Sequence, residues 1–455
     1  MVTSPAPDNQ PRRAHSRGAA LALSVLFVFI GSAFGWYGAI WLAEEVESIA
    51  PNGWWLVATI VLLVLFAITS VRYVLLAGMS MLDQFLRARD GVPAEPQVWP
   101  TISIIVPVFN EGPMIRHSLE SLLAQDYPSF EVVVIDDGSH DETYLNAFKI
   151  QRGTGGASVR LLTKPNSGKA DALNFGIAHA AGELVVCVDG DSMLEPDALR
   201  RLAVHFSEPR MGAVAGCVRV INRDTLWTKL QALEYVVGLA LMKRAQNAGR
   251  AVSIVPGPLG MFRKSALLAV GGYDHDTFAE DFDLSLKLLG DGWHVIYEPA
   301  ALAWTEAPES AMDLLKQRYR WSRGCLQVVF KRRWAWFRMR DERMRFLGIW
   351  YLVAENLVWP GFNVFGHVLF IATGLLLGLH PFVVAWWLQL VLLDCAISAY
   401  SVAAEDEELS LLWAAPFVRI FYAAFLDTAR LLSALDEWRG TRMTWGKLDR
   451  LGRLR

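Results

Sequence analysis

Long apolar stretches lie at both ends of this chain of 455 residues and constrain its fold more than any other feature. Near the N-terminus, Ala19–Ala43 is one apolar run, interrupted only by small residues, and Trp54–Leu76 is a second. A helix needs about 20 consecutive apolar residues to cross a bilayer. The first run is too long for the core of a signal peptide, and no small-residue cleavage site follows it. Residues 19–76 are therefore predicted to form two transmembrane helices.

Apolar character returns near Phe346, and residues 346–435 are predicted to hold about three further spans. Their ranges are Trp350–Leu379, His380–Val402 and Leu411–Leu435. The last range contains Arg419, Asp427 and Arg430, and charged side chains are costly in lipid. We therefore expect these charges to face protein or water. The alternative is that this last segment lies partly in the membrane interface.

The distribution of charge predicts the orientation in the membrane. Residues 1–18 contain arginines, prolines and serines and are expected to be disordered, and the acidic loop Glu44–Glu47 separates the first two spans. Because basic residues stay on the cytoplasmic side, the polar middle of the chain should lie in the cytoplasm of a multi-pass protein of the cell membrane. With five spans, the basic tail 436–455 would lie outside the cell. This contradicts the rule that basic residues stay in the cytoplasm, so the number of spans stays open.

The composition of the chain limits the classes of protein to which it can belong. The net charge of -3 provides no basic field for a nucleic acid. Hydrophobic residues make up 53% of the chain and the mean hydropathy is +0.28, with the excess concentrated at the two ends. The cysteines lack the spacing of a metal site and are predicted to be reduced structural thiols. They are Cys187, Cys217, Cys325 and Cys395.

The polar middle of the chain alternates between strand and helix patterns. Four apolar runs are predicted to be strands: Thr101–Val106, Phe130–Ile135, Val159–Leu162 and Glu183–Val188. The alternation predicts an α/β fold, with an open, mostly parallel sheet flanked by helices and inserted between transmembrane α-helices. Ligands bind beyond the carboxyl ends of the strands in such sheets. We therefore expect Asn110, Asp137 and Asp189 to converge on one crevice.

Asp189-Gly190-Asp191 follows apolar strand residues and is a candidate metal site. Mg²⁺ and Mn²⁺ prefer one or two carboxylates together with phosphate oxygens and water. Two aspartates one residue apart, with a glycine that permits a tight turn, can supply such ligands. Asp-Gly-Asp is also common in solvated turns, so the motif by itself leaves that alternative open.

Three loops carry groups that suit a nucleotide. Asp136-Asp137-Gly138 ends the second strand, where a buried carboxylate can accept hydrogen bonds from a base or a ribose. Asn110-Glu111-Gly112 follows the first strand. Asn166-Ser167-Gly168-Lys169 opens a helix, and the amides at a helix N-terminus attract anions. The alternatives are a simple strand-end turn and an ordinary helix cap with a surface lysine.

Two helical motifs complete the candidate site. Glu280-Asp281 begins an amphipathic helix and offers a carboxylate that can take the proton of an acceptor hydroxyl, with helix capping as the alternative. In Gln317-Arg318-Tyr319-Arg320-Trp321, the first, fourth and fifth residues share one helix face. A guanidinium binds diphosphate oxygens in a forked manner, and an indole ring stacks on the apolar face of a sugar. The surrounding basic residues also fit an amphipathic helix at the membrane surface.

The order of these motifs, Asp-Asp-Gly-Ser, Asp-x-Asp, Glu-Asp and Gln-x-x-Arg-Trp, resembles the processive inverting glycosyltransferases of family 2 over roughly Pro100–Gly324. That family includes cellulose, chitin, hyaluronan and poly-N-acetylglucosamine synthases. The resemblance implies a GT-A-type glycosyltransferase domain at residues 77–310, followed by amphipathic interface helices at 311–345 that carry the last motif. The chain departs from the family at Ala279, where a threonine is usual.

The resemblance also implies roles for individual residues. Asp281 is then the catalytic base, and Asp189 and Asp191 bind Mg²⁺ or Mn²⁺. The nucleotide-sugar is assigned to Asn110, Glu111, Asp136, Asp137, Lys169, Asp189 and Arg320. The acceptor is assigned to Gly257, Pro258, Leu259, Glu280, Gln317 and Trp321.

The compact size, the paired N-terminal spans and the stretch from Ile296 to Pro299 look most like bacterial poly-N-acetylglucosamine synthases. The expected function is polymerisation of a UDP-sugar, UDP-N-acetylglucosamine first, into a β-linked polysaccharide that crosses the membrane. Alternatives are a hyaluronan, chitin or glucan synthase, a non-processive transferase that makes a glycolipid, and a transporter or binding protein. Expected partners are the UDP-sugar, the growing polysaccharide and the lipid bilayer, with a small membrane accessory subunit as a further candidate and no nucleic acid.

Overall fold

This computed structural model describes residues 53–91, 93–151, 157–333, 350–377 and 381–441, together with the single positions 33, 37 and 40. The predicted disordered segment 1–18 and nearly all of the predicted first span lie outside the described residues. The same holds for 334–349, which include the end of the predicted interface helices and the start of the region predicted to hold the later spans, and for 442–455 of the basic tail.

Eight strands form one sheet within the described residues. They are β1 Ile102–Val108, β2 Phe130–Asp136, β3 Ala157–Thr163, β4 Leu184–Cys187, β5 Ser192–Leu194, β6 Met211–Val220, β7 Gly260–Arg263 and β8 His294–Thr305. The order across the sheet is β3-β2-β1-β4-β7-β6-β8-β5. The predicted strands β1 to β4 are confirmed as a parallel half. The whole sheet is mixed, because β7 runs antiparallel to both β4 and β6, and β5 antiparallel to β8.

Helices precede, flank and follow the sheet. Up to the end of the domain they are α1 Gly53–Asp90, α2 Ile115–Leu123, α3 Thr143–Ile150, α4 Lys169–His179, α5 Ala198–Ala203, α6 Leu226–Glu234, α7 Leu241–Asn247, α8 Lys264–Ala269, α9 Glu280–Gly290 and α10 Ala311–Lys331. Those after the domain are α11 Trp350–Val353, α12 Trp359–Leu377, α13 Pro381–Ala404, α14 Ala415–Phe417 and α15 Ala423–Trp438. A π-helical stretch, Tyr235–Ala240, joins α6 to α7. Others join α11 to α12 (Ala354–Val358) and α14 to α15 (Val418–Tyr422).

The apolar residues of β1 explain why the sheet is covered on both faces. Successive strand side chains point to opposite faces, and Ile104 and Ile105 are both fully buried. Ile104 packs in the layer that contains Leu119 of α2, whereas Ile105 packs in the layer that contains Leu173 of α4. A strand that is apolar on both sides requires helices on both faces of the sheet. This arrangement leaves the strand ends as the place for polar groups.

Within the described residues, three helical segments are long and apolar enough to cross a membrane: Ile60–Asp90, Val383–Ala404 and Leu409–Trp438. They overlap the predicted spans that begin at Trp54, His380 and Leu411. The predicted span Trp350–Leu379 is helical from Trp350 to Leu377, through α11, the π-helical stretch and α12. That it crosses a membrane stays a prediction. All four cysteines lie in the described part of the chain, and none of them is paired there, as predicted.

The charges of the last predicted span have partners within the protein, as expected. Arg419 pairs with Asp394 of α13, with Nε and Oδ2 2.7 Å apart. Arg430 pairs with Asp427 at 2.8 Å, and Asp427 also accepts a hydrogen bond from Asn363 of α12 at 2.8 Å. Arg419 and Asp427 are both buried. Partners of opposite charge offset the cost of removing these groups from water.

Helix α10, which carries the Gln-x-x-Arg-Trp motif, lies against the C-terminal helix α15. Arg323 donates to Glu437 at 2.8 Å, and the Tyr319 hydroxyl donates to Asp436 at 2.8 Å. At its other end, the Ser310 side chain caps the helix by accepting the amide of Asp313. The motif is therefore held between the sheet and the helices that follow the domain.

Candidate active site

Asp137 connects the end of β2 to the loop that opens α4. Its carboxylate accepts hydrogen bonds from the amides of Ser167 and Gly168, at 3.1 and 2.9 Å, and from the ammonium of Lys164 at 2.7 Å. Asp136 and Asp137 are each only 4% exposed. The acidic end of β2 thereby fixes the backbone immediately before Lys169.

Asn110 connects the end of β1 to the loop that follows β2. Its φ of 52° lies in the left-handed region, which asparagine tolerates better than most residues. The side-chain oxygen accepts the amide of His140 at 2.8 Å, and its own amide donates to the Ser139 hydroxyl at 3.0 Å. The next residue, Glu111, packs close to the Asp189-Gly190-Asp191 turn, since a Cβ added to Gly190 would lie 3.4 Å from the Glu111 Cγ.

Lys169 joins the end of β4 to the start of α9. Its Nζ lies 2.6 Å from Oδ1 of Asp189 and 3.2 Å from Oε1 of Glu280. Burial by itself lowers the pKa of Lys169, but the carboxylates of Asp189 and Glu280 raise this pKa well above its usual range. Lys169 is thus a stable cation between two predicted motifs. The second aspartate of the turn, Asp191, is 7% exposed.

Gly257 brings the loop before β7 against this ion pair. A Cβ added to Gly257 would lie 2.8 Å from Nζ of Lys169 and 2.9 Å from Oδ2 of Asp189. Any side chain larger than that of glycine would displace one of these charged groups. The close approach explains why glycine occupies this position of the loop.

Asp281 lies half-buried in the first turn of α9. Burial raises the pKa of Asp281 to about 7, and the negative charge of Glu280 adds to the rise. Its Oδ1 accepts the amide of Phe282 at 2.8 Å. The Ser285 hydroxyl donates to the Asp281 carbonyl at 2.7 Å and accepts the amide of Val255 at 3.0 Å. Ser285 therefore connects the loop that contains Gly257 to the helix that carries Asp281.

The motif of α10 contributes three predicted residues, Gln317, Arg320 and Trp321, and the unpredicted Arg318 to the same region. The buried side chain of Gln317 accepts a hydrogen bond from the Arg318 guanidinium. The Cζ of Arg318 lies 4.2 Å from the centroid of the Trp321 ring. The Trp321 ring lies 6.3 Å from that of Tyr235, at 53°. Arg318 therefore organises the motif between its first and last residues.

Gly324 allows α10 to touch the segment that leads into α9. A Cβ added to Gly324 would lie 2.7 Å from the backbone nitrogen of Ala279 and 2.8 Å from the carbonyl carbon of Phe278. These are backbone atoms, which cannot rotate away as the end of a side chain can. The distance between α10 and Asp281 therefore depends on glycine at this position.

Gly324→Ala is expected to lower the free energy of unfolding by about 1–3 kcal/mol, the usual cost of overpacking. Thermal unfolding of the detergent-solubilised protein measures the loss. Gly290→Ala is the matched control, because a Cβ at Gly290, the last residue of α9, meets no atom within 4 Å. Equal stability of the two variants would contradict the close approach.

A cavity of about 330 Å³ opens between these elements. Most of the predicted site residues line it, namely Lys169, Asp189, Asp191, Gly257, Pro258, Glu280, Asp281, Gln317, Arg320 and Trp321. The other predicted site residues are not among the described residues that line the cavity. They are Asn110, Glu111, Asp136, Asp137 and Leu259. Of these, Asn110 and Glu111 follow β1, and Asp136 and Asp137 lie at the end of β2. Leu259 is fully buried in the sheet core, so its side chain packs behind the loop.

Several residues of this region belong to none of the motifs that predict the site. Glu234, Glu355 and Arg430 also line the cavity, although they are far apart along the chain. Glu234 directly precedes a π-helical stretch, and Glu355 lies within another. π-helical turns are frequent at functional sites, but no local sequence pattern predicts them.

Comparisons with known proteins define the class of protein domain that holds this site. The model of the family described as glycosyltransferase-like family 2 matches residues 100–324. This part of the chain is a glycosyltransferase family 2 domain, and its mixed, helix-flanked sheet is the GT-A fold. The predicted fold class and enzyme class are confirmed at the level of this domain.

The chain is similar to particular synthases over part of its length. The poly-beta-1,6-N-acetyl-D-glucosamine synthase of Staphylococcus epidermidis is 35% identical over 245 residues, which cover 54% of this chain and 59% of the relative. The synthase of that name from Staphylococcus aureus (strain COL) is 36% identical over 231 residues, 50% of this chain and 56% of the relative. The chain thus spans less than two thirds of the length of these curated relatives.

One solved structure extends the comparison beyond the domain. The mannosyltransferase PcManGT from Pyrobaculum calidifontis, solved in complex with GDP-Man and Mn²⁺, matches with a TM-score of 0.60. The match covers 84% of this chain and 99% of that chain, at 21% sequence identity. This likeness supports the fold.

Proposed function

We propose that the protein is a membrane-embedded, processive, inverting glycosyltransferase. It polymerises a UDP-sugar, UDP-N-acetylglucosamine in the first place, into a β-linked polysaccharide and passes the product across the membrane. The catalytic domain lies in the cytoplasm, on a multi-pass protein of the cell membrane. The relatives support the donor, since both are poly-beta-1,6-N-acetyl-D-glucosamine synthases.

The extent of the cavity is the observation that carries this proposal. Asp189 and Asp281 lie on its wall, and so do Glu355 and Arg430 from the helices that follow the domain. A growing chain that leaves Asp281 can therefore move directly toward the membrane helices. Charged groups on that part of the wall suit a hydrated sugar chain better than the acyl chains of a glycolipid.

Asp189 and Asp191 are suited to hold a divalent cation beside the donor diphosphate. The Asp189 carboxylate already contacts the ammonium of Lys169 at 2.6 Å, and Asp191 provides a second carboxylate on the same turn. When bound, Mg²⁺ or Mn²⁺ would neutralise the diphosphate charge. Arg320 and Lys169 line the same cavity and provide further positive charge for the departing UDP.

Asp281 is suited to be the base of the transfer. The acceptor hydroxyl oxygen forms a bond to the anomeric carbon of the donor, and its proton passes to the Asp281 carboxylate. The bond from that carbon to the diphosphate oxygen breaks, and its electron pair leaves with UDP. Attack from the face opposite UDP inverts the anomeric configuration. A raised pKa makes Asp281 a stronger base than an exposed aspartate.

The rate of transfer is expected to rise with pH and to level off above neutrality. Asp281 accepts a proton only as a carboxylate, and its pKa is about 7. Below that value the ionised fraction falls about tenfold for each pH unit. The dependence of kcat/KM on pH, measured by UDP release, checks this expectation. A profile that is flat through the acid range would argue against Asp281 as the base.

Trp321→Ala is expected to reduce polymer formation more than hydrolysis of the donor. The indole ring would stack on the terminal sugar of the acceptor, a contact worth on the order of 1 kcal/mol. Without it the growing chain is not held while the donor is replaced, whereas attack by water needs no acceptor site. Polymer yield and UDP release are measured in the same reaction.

Trp413→Ala is the matched control for that experiment. Trp413 also has a cation near its ring, Lys229 at 5.3 Å, but it lies outside the described lining of the cavity. Its replacement should leave the ratio of polymer to UDP unchanged. Equal losses of polymer and UDP release in Trp321→Ala would show that Trp321 supports the donor site or the fold and not the acceptor.

Product analysis with a panel of labelled UDP-sugars tests the proposed function as a whole. The full chain is placed in lipid vesicles with Mg²⁺ or Mn²⁺, and the products are separated by size. Long polymer from UDP-N-acetylglucosamine supports the proposal. Polymer from another donor would show that the enzyme uses a different sugar. Lipid-linked sugar would indicate a glycolipid transferase, and no product from any donor would indicate a transporter or binding protein.

A further inference from the structure

Arg318 lies beside Gln317 and Trp321, which the resemblance to family 2 assigns to the acceptor. Its Cζ is 4.2 Å from the centroid of the Trp321 ring, and its Nη1 donates to the side-chain oxygen of Gln317. A guanidinium over an indole face is attracted to the electron density of the ring. Since one face of the Trp321 ring is covered by Arg318, a sugar ring can stack only on the other.

Glu234 holds Arg318 in this position. The Nε and Nη2 of Arg318 donate to the two carboxylate oxygens of Glu234, at 2.9 and 2.7 Å. The Tyr422 hydroxyl donates to the same carboxylate at 2.5 Å. The Arg318 and Glu234 side chains are only 6% and 16% exposed. A forked, buried pair of this kind fixes the plane of the guanidinium.

We propose that Arg318 and Glu234 are positioning residues for the acceptor, because they hold the Trp321 ring in the orientation that receives the sugar. The inference rests on the proposed function, in which Trp321 contacts the acceptor. The Nε, Nη1 and Nη2 of Arg318 all donate hydrogen bonds within the protein. We therefore assign the contact with the donor diphosphate to Arg320.

The contacts come from three separate parts of the fold. Glu234 is the last residue of α6, Arg318 lies in α10, and Tyr422 is the last residue before α15. Glu234 directly precedes one π-helical stretch and Tyr422 ends another. This form of helix is rare and is often found at functional sites. The orientation of Trp321 therefore depends on the packing of α15 against the domain.

Arg318→Lys tests the inference, because lysine keeps the charge but lacks the planar fork. Polymer yield is expected to fall about tenfold, while donor hydrolysis and the KM for the donor change less than about twofold. A purely structural role would lower polymer formation and hydrolysis together. Combining Arg318→Lys with Trp321→Ala should cause no further loss beyond Trp321→Ala alone, since both changes act through one ring.

Arg223→Lys is the matched control. Arg223 forms a similar fork with Glu407, at 2.8 and 3.0 Å, with side chains 13% and 2% exposed, and lies outside the described lining of the cavity. Its replacement should leave the ratio of polymer to UDP unchanged. A change of that ratio equal to the one in Arg318→Lys, or additive losses with Trp321→Ala, would overturn the inference.

Binding of a short β-linked N-acetylglucosamine oligosaccharide separates this inference from the proposed function. Calorimetry should show about tenfold weaker binding to Arg318→Lys and unchanged binding of UDP. If the wild type binds the oligosaccharide but makes no polymer, the proposed function fails and the inference stands. Equal affinity of the variant and the wild type, or no binding by the wild type, overturns the inference.

Discussion

Asp281→Asn is expected to abolish sugar transfer while binding of UDP persists. The amide of asparagine cannot take up the proton of the acceptor hydroxyl, and loss of a general base lowers rates by about two to four orders of magnitude. The substitution preserves size, and Asp189 and Asp191 of the proposed metal site belong to a different turn. Formation of polymer and binding of UDP are measured on the same preparation.

Asp291→Asn is the control for this experiment. Asp291 directly follows the last residue of α9, the helix that begins with Glu280 and Asp281. Its carboxylate accepts a hydrogen bond from the Trp293 indole at 3.0 Å. We expect this variant to transfer sugar at the rate of the wild type. If Asp281→Asn also forms polymer at nearly that rate, the base is another residue.

Asp189→Ala and Asp191→Ala are expected to remove metal-dependent binding of UDP together with activity. Both carboxylates would serve the cation, and a diphosphate in a site without it meets the negative charge of Glu280 and Asp281 as well. UDP affinity is measured by calorimetry with and without Mg²⁺ or Mn²⁺. The metal should strengthen binding to the wild type and have little effect on either variant.

Removal of the metal from the wild type should reproduce the effect of these substitutions. EDTA is expected to stop transfer, and added Mg²⁺ or Mn²⁺ to restore it. Asp197→Ala serves as the control carboxylate, since Asp197 is paired with Arg201 at 2.6 Å and lies outside the described cavity lining. Full activity in EDTA would exclude a metal-dependent mechanism.

The parallel half of the sheet could be predicted because its signal is local. The runs that became β1 to β4 are short, apolar and rich in β-branched residues, and helical patterns lie between them. Two of the remaining strands are too short to give a comparable signal. β5 and β7 span only Ser192–Leu194 and Gly260–Arg263. The direction of β7 depends on its neighbours β4 and β6, which are distant along the chain.

The motifs of the candidate site could be placed from the sequence for the same reason. Asp137 follows β2, Asp189 lies just beyond β4, and Glu280 begins α9, so each lies where a regular element starts or ends. Leu259 shows the limit of this reasoning. It belongs to a motif by resemblance, but its side chain is fully buried, and burial depends on what the fold packs around it.

The sequence by itself determined which residues stand at the ends of strands and helices, because hydrophobic periodicity and turn residues act over a few neighbours. Only the tertiary structure decided how closely those ends approach one another. Gly257 lies against Lys169 and Asp189, and Arg318 meets Glu234 across 84 positions of the chain. Such contacts arise when separate elements pack together, and no local pattern encodes the distance between them.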